Sequence, residues 1–308
     1  MRAMIMAAGL GTRLRPLTHW RPKPVVPVRG IPLLAYPLAL LAKAGVTEVV
    51  INTHHLPEVL EAAAAGWSPD GLQVHFSSEA ELLHTGGGIR RVADFLRESD
   101  HCVILGGDMV VDLDLAGLIR RHASSGRAVT MALTEDPRAD EFGTIGLDGN
   151  GRLRRISRRI DWGHEEQSGV YTWVNVLSRR AFETVPDREA FNHLDEWWAP
   201  AAAEEPNHVG GEVLPAAALH WQPVGTMAEY LGANLTPVEL SYLDVEAAAT
   251  AVGARLTPGL VIGAGATVPA DARLSEVVVW DGETVPAGTE ATRGVFAGGT
   301  FHPVEPAA

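Results

Sequence analysis

The chain opens MRAMIMAAGLGTRLRPLTHWRPKPVVPVRG (Met1–Gly30), and this stretch decides how the rest is read. A short apolar strand, Met4 to Ala7, runs directly into Gly9-Leu10-Gly11-Thr12-Arg13, and Lys23-Pro24 follows. Glycines after a strand let backbone N–H groups approach a phosphate closely, because no Cβ stands in the way. Arg13 and Lys23 add two cations beside that loop, a combination suited to a polyphosphate. Two familiar phosphate loops do not fit. The dinucleotide fingerprint G-x-G-x-x-G needs a third glycine where Leu14 stands, and Pro16 disfavours a helix starting at Gly11. The Walker sequence G-x-x-x-x-G-K-[ST] is absent.

Outward from this loop, the first half of the chain alternates strand and helix. Pro32 begins a helix over Leu33–Ala44, closed by Gly45. Glu48–Thr53 reads as a strand, Glu58–Ala65 as a helix stopped by Gly66, and Leu72–Ser77 as a strand. Ile89–Leu96 reads as helix, Cys102–Leu105 as a buried strand, Leu113–Ala123 as helix and Ala128–Leu133 as strand. Strands separated by helices of this length predict a doubly wound, mainly parallel sheet, with ligands at the carboxyl ends of its strands. Gly9–Arg13, Thr85–Gly88 and Asp108 all fall in or beside strand-to-helix connections, which points to one site.

Composition bounds the function. The chain has 308 residues, enough for one large core and a smaller unit. Its net charge of -13 argues against nonspecific nucleic-acid binding, so an anionic substrate needs a local cationic pocket. No apolar run reaches about eighteen residues, so no membrane span is expected. The opening apolar run breaks at Gly9, unlike a signal peptide, and the cytoplasm is the expected compartment. The single cysteine, Cys102, lies in an apolar run and reads as a buried strand residue. His54-His55 and Trp197-Trp198 read as structural pairs.

The run Gly9-x-Gly11-Thr12-Arg13-Leu14-x-Pro16-Leu17-Thr18, with Lys23-Pro24, resembles the signature of the sugar-1-phosphate nucleotidyltransferases, or NDP-sugar pyrophosphorylases. The resemblance implies that the loop wraps a nucleoside triphosphate, that Arg13 contacts it, and that Lys23 holds the reacting phosphates. Leu83-His84-Thr85-Gly86-Gly87 resembles the turn that holds the base in this family, closest to the branches acting on N-acetylmuramate and mannose 1-phosphates. Those branches use different bases, so UTP and GTP both stay open. Nucleotide binding is thereby expected at Ala8, Gly9, Gly11 and Thr12, and at Glu81, Thr85, Gly86 and Gly87. Val103-Ile104-Leu105-Gly106-Gly107-Asp108 resembles the strand and N-G-D turn whose carboxylate holds Mg²⁺, with Gly106 in place of asparagine. Asp108 is therefore expected as catalytic residue and metal ligand, with Asp112 as a helix cap before Leu113.

Three further positions depart from the family. Trp221-Gln222-Pro223-Val224-Gly225-Thr226, followed by Tyr230, Ala233 and Asn234, resembles W-x-D-[IV]-G-T-x-x-x-Y-x-x-A-N, but Pro223 replaces the second metal carboxylate. Phe142-Gly143-Thr144-Ile145 resembles the Y-G-x-[IV] segment, yet the E-K-P that follows in the family gives way to RRISRRI (Arg154–Ile160), where Arg158 or Arg159 is a candidate for the phosphate-binding lysine. Tyr171-Thr172-Trp173-Val174-Asn175 stands where the family has a T-G segment lining the sugar pocket, with Trp173 for the glycine. Gly143, Thr172 and Asn175 are the residues expected at the sugar. Two functional classes fit. Intact Arg13, Lys23 and Asp108 favour an enzyme making NDP-sugar and pyrophosphate from NTP and sugar 1-phosphate; the departures fit a nucleotide-sugar-binding regulatory subunit with little turnover.

The tail changes period. From Ala251 onward apolar residues recur every six (Leu256, Ile262, Val268, Leu274), with glycines between them. The pattern predicts a short left-handed β-helix over 251–308, joined by a linking helix over 236–250 to a nucleotidyltransferase domain over 1–235. Such a tail commonly serves self-association, so a homo-oligomer through it is a further expectation. The signature motifs lie outside the tail, so nucleotide binding is expected to survive its removal.

Overall fold

The apolar runs of the first half become the centre of a ten-stranded sheet, seen in a computed structural model that describes residues 1–305. Four parallel strands lie side by side in the order His101–Gly106, Arg2–Met6, Glu48–Thr53 and Gln73–Ser78. Met4 pairs with Val50 on one side and Ile104 on the other, so the first strand is central. Both faces are covered, as period-two burial of apolar side chains demands. Ala3 and Ile5 enter one core with Val49 and Leu105, while Met4 enters the other with Val50 and Ile104. Helix Ala35–Lys43 carries the chain from Arg2–Met6 to its neighbour on one side; the chain later crosses to the other side through His101–Gly106. That reversal opens a crevice at the carboxyl ends of these two strands. Gly9–Arg13 follows one of them and Asp108 the other.

Past His101–Gly106 the sheet becomes antiparallel. The long strand Gln167–Ser178 pairs with His101–Gly106, Val129–Thr134 and Thr144–Leu147. Its register slips between Tyr171 and Val174, a bulge at the rim of the crevice. A two-stranded ribbon, Met109–Leu113 with Leu219–Pro223, sets Pro223 opposite Met109.

Several local expectations shift. Gly86, Gly87 and Gly88 lie inside a helix, His84–Arg91, rather than in a turn ahead of one. Asp112 caps no helix: it accepts from the backbone N–H and hydroxyl of Ser241, and residues 109–113 extend as a strand. Asp114 caps the following helix, Leu115–Ser125, by accepting from Gly117 N–H at 2.8 Å. Within 236–250 the helix is confined to its end, Val245–Ala251, capped by Asp244.

The tail forms a five-stranded sheet. Its three middle strands are parallel, each residue pairing with the one 17 further on: Leu260 with Val277, Leu274 with Ala291, and Thr267 with Thr284. The tail does not stand apart. Leu14 and Leu17 of the signature segment share a core with Tyr230, Val261, Val278, Trp280 and Val295. Arg21 makes a bidentate pair with Asp281 and lies over the Trp280 ring at 4.7 Å.

Candidate active site

The glycine loop turns back on itself. Gly11 has φ 61°, and a Cβ there would stand 2.8 Å from Thr18 Cγ2, so the position requires glycine. Thr18 Oγ1 donates to Gly11 O at 3.1 Å and ties the loop shut. Among the described residues, none accepts from the backbone N–H groups of Gly9 to Arg13. These donors and the exposed Arg13 side chain, which forms no ion pair among the described residues, make a cradle for an anion. Ala8 lies buried at its base. Lys23 Nζ stands 2.6 Å from Asp108 Oδ2.

Two cavities meet at that pair. One, of about 260 Å³, is lined by residues 6–9 with Asn52, Glu79, His84 and Thr85. The other, of about 250 Å³, is lined by Arg13, Gly143, Arg159, Tyr171, Trp221, Pro223 and Glu229. Lys23, Asp108 and Trp173 line both.

The first cavity is read differently by the structure than by the sequence. Glu81 is exposed and does not line it. Gly86 and Gly87 do not line it either; their missing side chains make room for Phe191 and the Glu189 carbonyl, so they serve helix packing. Gly86 N–H donates to Phe191 O at 2.8 Å. Besides Asp108, the carboxylate in the cavity is Glu79, only 3% exposed. Glu79 Oε1 accepts from Asn52 Nδ2 at 2.7 Å, and Oε2 accepts from Leu83 N–H at 3.1 Å. Asn52 Oδ1 in turn accepts from Ala7 N–H at 2.7 Å, which fixes the group to the first strand. The available signal was a polar residue, Asn52, directly after the apolar run Val49–Ile51 of its strand.

Two residues expected at the sugar lie outside the lining of the second cavity. Thr172 is fully buried and its hydroxyl donates to Ala132 O at 2.7 Å, away from the cavity. Asn175 is buried behind Tyr171, whose hydroxyl donates to Asn175 Oδ1 at 2.9 Å. Alternation along the strand puts Tyr171 and Trp173 at the cavity instead. Trp173 has φ 61°, a conformation suited to glycine, and the bulge holds it there. Gly143 does line the cavity. Of the two candidate arginines, Arg159 lines it and is hydrogen-bonded to Asp195, while Arg158 does not. The rest of the basic run is spoken for: Arg155 pairs with Glu165, and Arg154 donates to the Trp162 carbonyl.

Pro223 faces the same cavity as Asp108, and Val224 N–H donates to Asp108 O at 3.0 Å. Proline supplies no ligand there. Among the described residues, no group of three or more His, Cys, Asp or Glu side chains could hold a metal. Asp108 Oδ1 nevertheless accepts from no described residue, which leaves one carboxylate oxygen facing the cavities. A cation that retains water and takes substrate oxygens as ligands fits such a donor set. His54 and His55 bond to the backbone carbonyls of Glu79 and Thr18, and Trp197 and Trp198 are buried. No helix among the described residues is long and apolar enough to cross a membrane.

Comparison with known proteins agrees with this geometry. Residues 2–238 match the nucleotidyl transferase family. The chain is 32% identical over 302 residues to a mannose-1-phosphate guanylyltransferase of Mycobacterium tuberculosis, covering 93% of this chain and 81% of that one. It is 27% identical over 204 residues to a UTP–glucose-1-phosphate uridylyltransferase of Synechocystis, covering 62% of this chain and about half (53%) of that one. In fold it is similar to HddC from Yersinia pseudotuberculosis, with a TM-score of 0.61 at 22% identity over 75% of this chain and 97% of that one. The chain belongs to the nucleotidyl transferase family and, within it, to the sugar-1-phosphate nucleotidyltransferases.

Proposed function

We propose that this chain transfers a guanylyl group from GTP to a mannose-type sugar 1-phosphate, releasing pyrophosphate. The observation that carries the reading is the meeting of two cavities at Lys23, Asp108 and Trp173. One would take the nucleotide and the other the sugar phosphate. Guanine is favoured by Glu79. Each of its oxygens accepts one protein hydrogen bond and keeps a further acceptor site. Guanine presents two adjacent donors, its ring N–H and its exocyclic amine. Uracil presents one N–H between two carbonyls, which a carboxylate repels. The guanylyltransferase relative supports the same choice.

An oxygen of the sugar phosphate attacks the α-phosphorus, and the bond to the bridging oxygen of pyrophosphate breaks. No protein nucleophile is needed; the residues align and neutralise charge. Ala8, Gly9, Gly11 and Thr12 present the N–H cradle to the β- and γ-phosphates. Arg13 stabilises the charge growing on pyrophosphate. Lys23 lies between the cavities and holds the α-phosphate and the incoming phosphate together. Arg159 is a further cation of the acceptor side, beside Lys23 and Arg13, and Gly143 lines that side with its missing Cβ making room for Ser157. Mg²⁺, held by Asp108, would neutralise phosphate charge when bound. The constant 17-residue offset of the tail supports one coil of a short left-handed β-helix per repeat, packed against residues 1–235 through a shared core.

The test is pyrophosphate release over a panel of GTP, UTP, CTP and dTTP against mannose 1-phosphate and glucose 1-phosphate. Fastest turnover is expected with GTP and mannose 1-phosphate. In Glu79→Gln, which turns one acceptor into a donor, the preference for GTP over UTP should shrink. Faster turnover with UTP in the wild type would reject the guanine assignment.

A further inference from the structure

Between the two cavities runs a buried hydrogen-bond relay whose direction can be worked out. Asn175 Nδ2 donates to Ile104 O at 3.2 Å, and a carbonyl can only accept, so Asn175 Oδ1 is turned to Tyr171. That oxygen can also only accept, so the Tyr171 hydroxyl donates to it. The Tyr171 oxygen therefore accepts from His193 Nε2–H, 3.1 Å away. His193 Nδ1 is left with a lone pair, and Thr85 Oγ1 at 2.7 Å donates to it. Thr85 Oγ1 also accepts from the His193 backbone N–H at 3.1 Å. Every group in the chain is satisfied by one arrangement of protons, with His193 neutral. Its burial holds it in that form, pushing its pKa down to about 3.

The ends of this relay open on different cavities. Thr85 lines the nucleotide side and Tyr171 the acceptor side, while His193 is only 2% exposed and lines neither. The rings of Tyr171 and His193 also flank Trp173, with centroids 5.2 and 5.1 Å away, and Trp173 lines both cavities. Helix His84–Arg91 and strand Gln167–Ser178 are thus joined at the site through one imidazole. A satisfied buried network of this kind has few alternative arrangements. A shift of Thr85 would be passed through these hydrogen bonds to His193 and Tyr171, whose rings flank Trp173.

We infer that His193 is a positioning residue that couples the two cavities, so that occupancy of the nucleotide side prepares the acceptor side. The inference rests on the assignment of the cavities given above. Coupling of this sort is reciprocal and is read as a ratio of affinities.

The experiment is calorimetric titration of mannose 1-phosphate with and without saturating α,β-methylene GTP, whose Pα–CH₂–Pβ bridge cannot be cleaved. In the wild type the analogue should tighten mannose 1-phosphate about fivefold or more. In His193→Phe and in Tyr171→Phe the ratio should fall towards one; it is taken within each variant, so that any change in the affinity for mannose 1-phosphate alone cancels. His193→Gln, which keeps a donor and an acceptor on one side chain, should recover part of the ratio. Tyr171→Phe keeps the ring and decides the matter if His193→Phe does not fold. A wild-type ratio of one, or an unchanged ratio in Tyr171→Phe, would overturn the coupling. Failure of the analogue to bind the wild type, or of mannose 1-phosphate to bind even with the analogue present, overturns the cavity assignment, and the coupling with it.

Discussion

Lys23 Nζ and Asp108 Oδ2 lie 2.6 Å apart at the one place where both cavities meet. The pair keeps a carboxylate and an ammonium side by side until phosphates arrive. Lys23→Ala removes a cation from phosphate and leaves Asp108 repelling the substrate, so turnover should be nearly abolished. Arg13→Ala should reduce kcat/KM by about 10²–10³, the loss typical of one transition-state donor. Arg13 is exposed and forms no ion pair among the described residues, so its melting temperature should match the wild type. Steady-state pyrophosphate release with thermal melts of both variants checks this.

Trp280 of the tail donates its indole N–H to Tyr230 Oη at 2.8 Å, and Tyr230 donates to Pro27 O at 2.7 Å. With the core around Leu14 and Leu17, this makes the tail a support for the segment carrying Arg13 and Lys23. Separability was the expectation from motif placement; the shared core leads to the opposite outcome. Removing residues 252–308 should lower the melting temperature markedly and weaken GTP binding. Trp280→Phe, which leaves the Tyr230 hydroxyl short of a donor, should cost about 1 kcal/mol. Urea unfolding and GTP titration of both forms measure these effects.

Pro223 gives the cavity no second carboxylate. Pro223→Asp should tighten Mg²⁺, because a second charge near the ion is worth roughly a few kcal/mol at an effective dielectric near 20, before desolvation. Mn²⁺ binding followed by electron paramagnetic resonance reads this without turnover. Equal affinity in both forms would mean that another group already completes the site.

Two buried histidines set an acid limit. Burial lowers His193 to about 3 and His122 to about 4, below the ordinary value near 6.5. Both are neutral in the folded protein and protonate first in the unfolded chain. Their contribution is therefore full above pH 6.5 and is lost as pH falls towards 4, at up to ~1.4 kcal/mol per residue per unit. Denaturant midpoints at pH 7, 5.5 and 4.5 should decline in that order. His122→Gln should flatten the decline.

The order of strands and helices was legible because apolar runs and glycine or proline stops mark a mainly parallel sheet. Arg13, Lys23 and Asp108 stood out because they accompany glycines that follow apolar strands, and the structure sets Lys23 and Asp108 at the crevice 2.6 Å apart. What the sequence hid were directions. Gly86 and Gly87 look like a base-binding turn, but whether a glycine faces a ligand or Phe191 depends on a segment about a hundred residues away. Thr172 alternates to the face opposite Tyr171, Asn175 is buried behind the Tyr171 hydroxyl, and the bulge between Tyr171 and Val174 that sets Trp173 carries no motif of its own. His193 opens a helical segment that carries no signature, and its importance comes from Thr85 and Tyr171 meeting it in space.

The measurement that bears most directly on the whole account is ³¹P NMR of the chain with Mg²⁺, GTP and mannose 1-phosphate. Signals of a guanosine diphospho-sugar and of pyrophosphate should grow in equal amounts, and both should vanish in Asp108→Ala. Growth of inorganic phosphate alone, or no product with any nucleoside triphosphate, would contradict nucleotidyl transfer at this site.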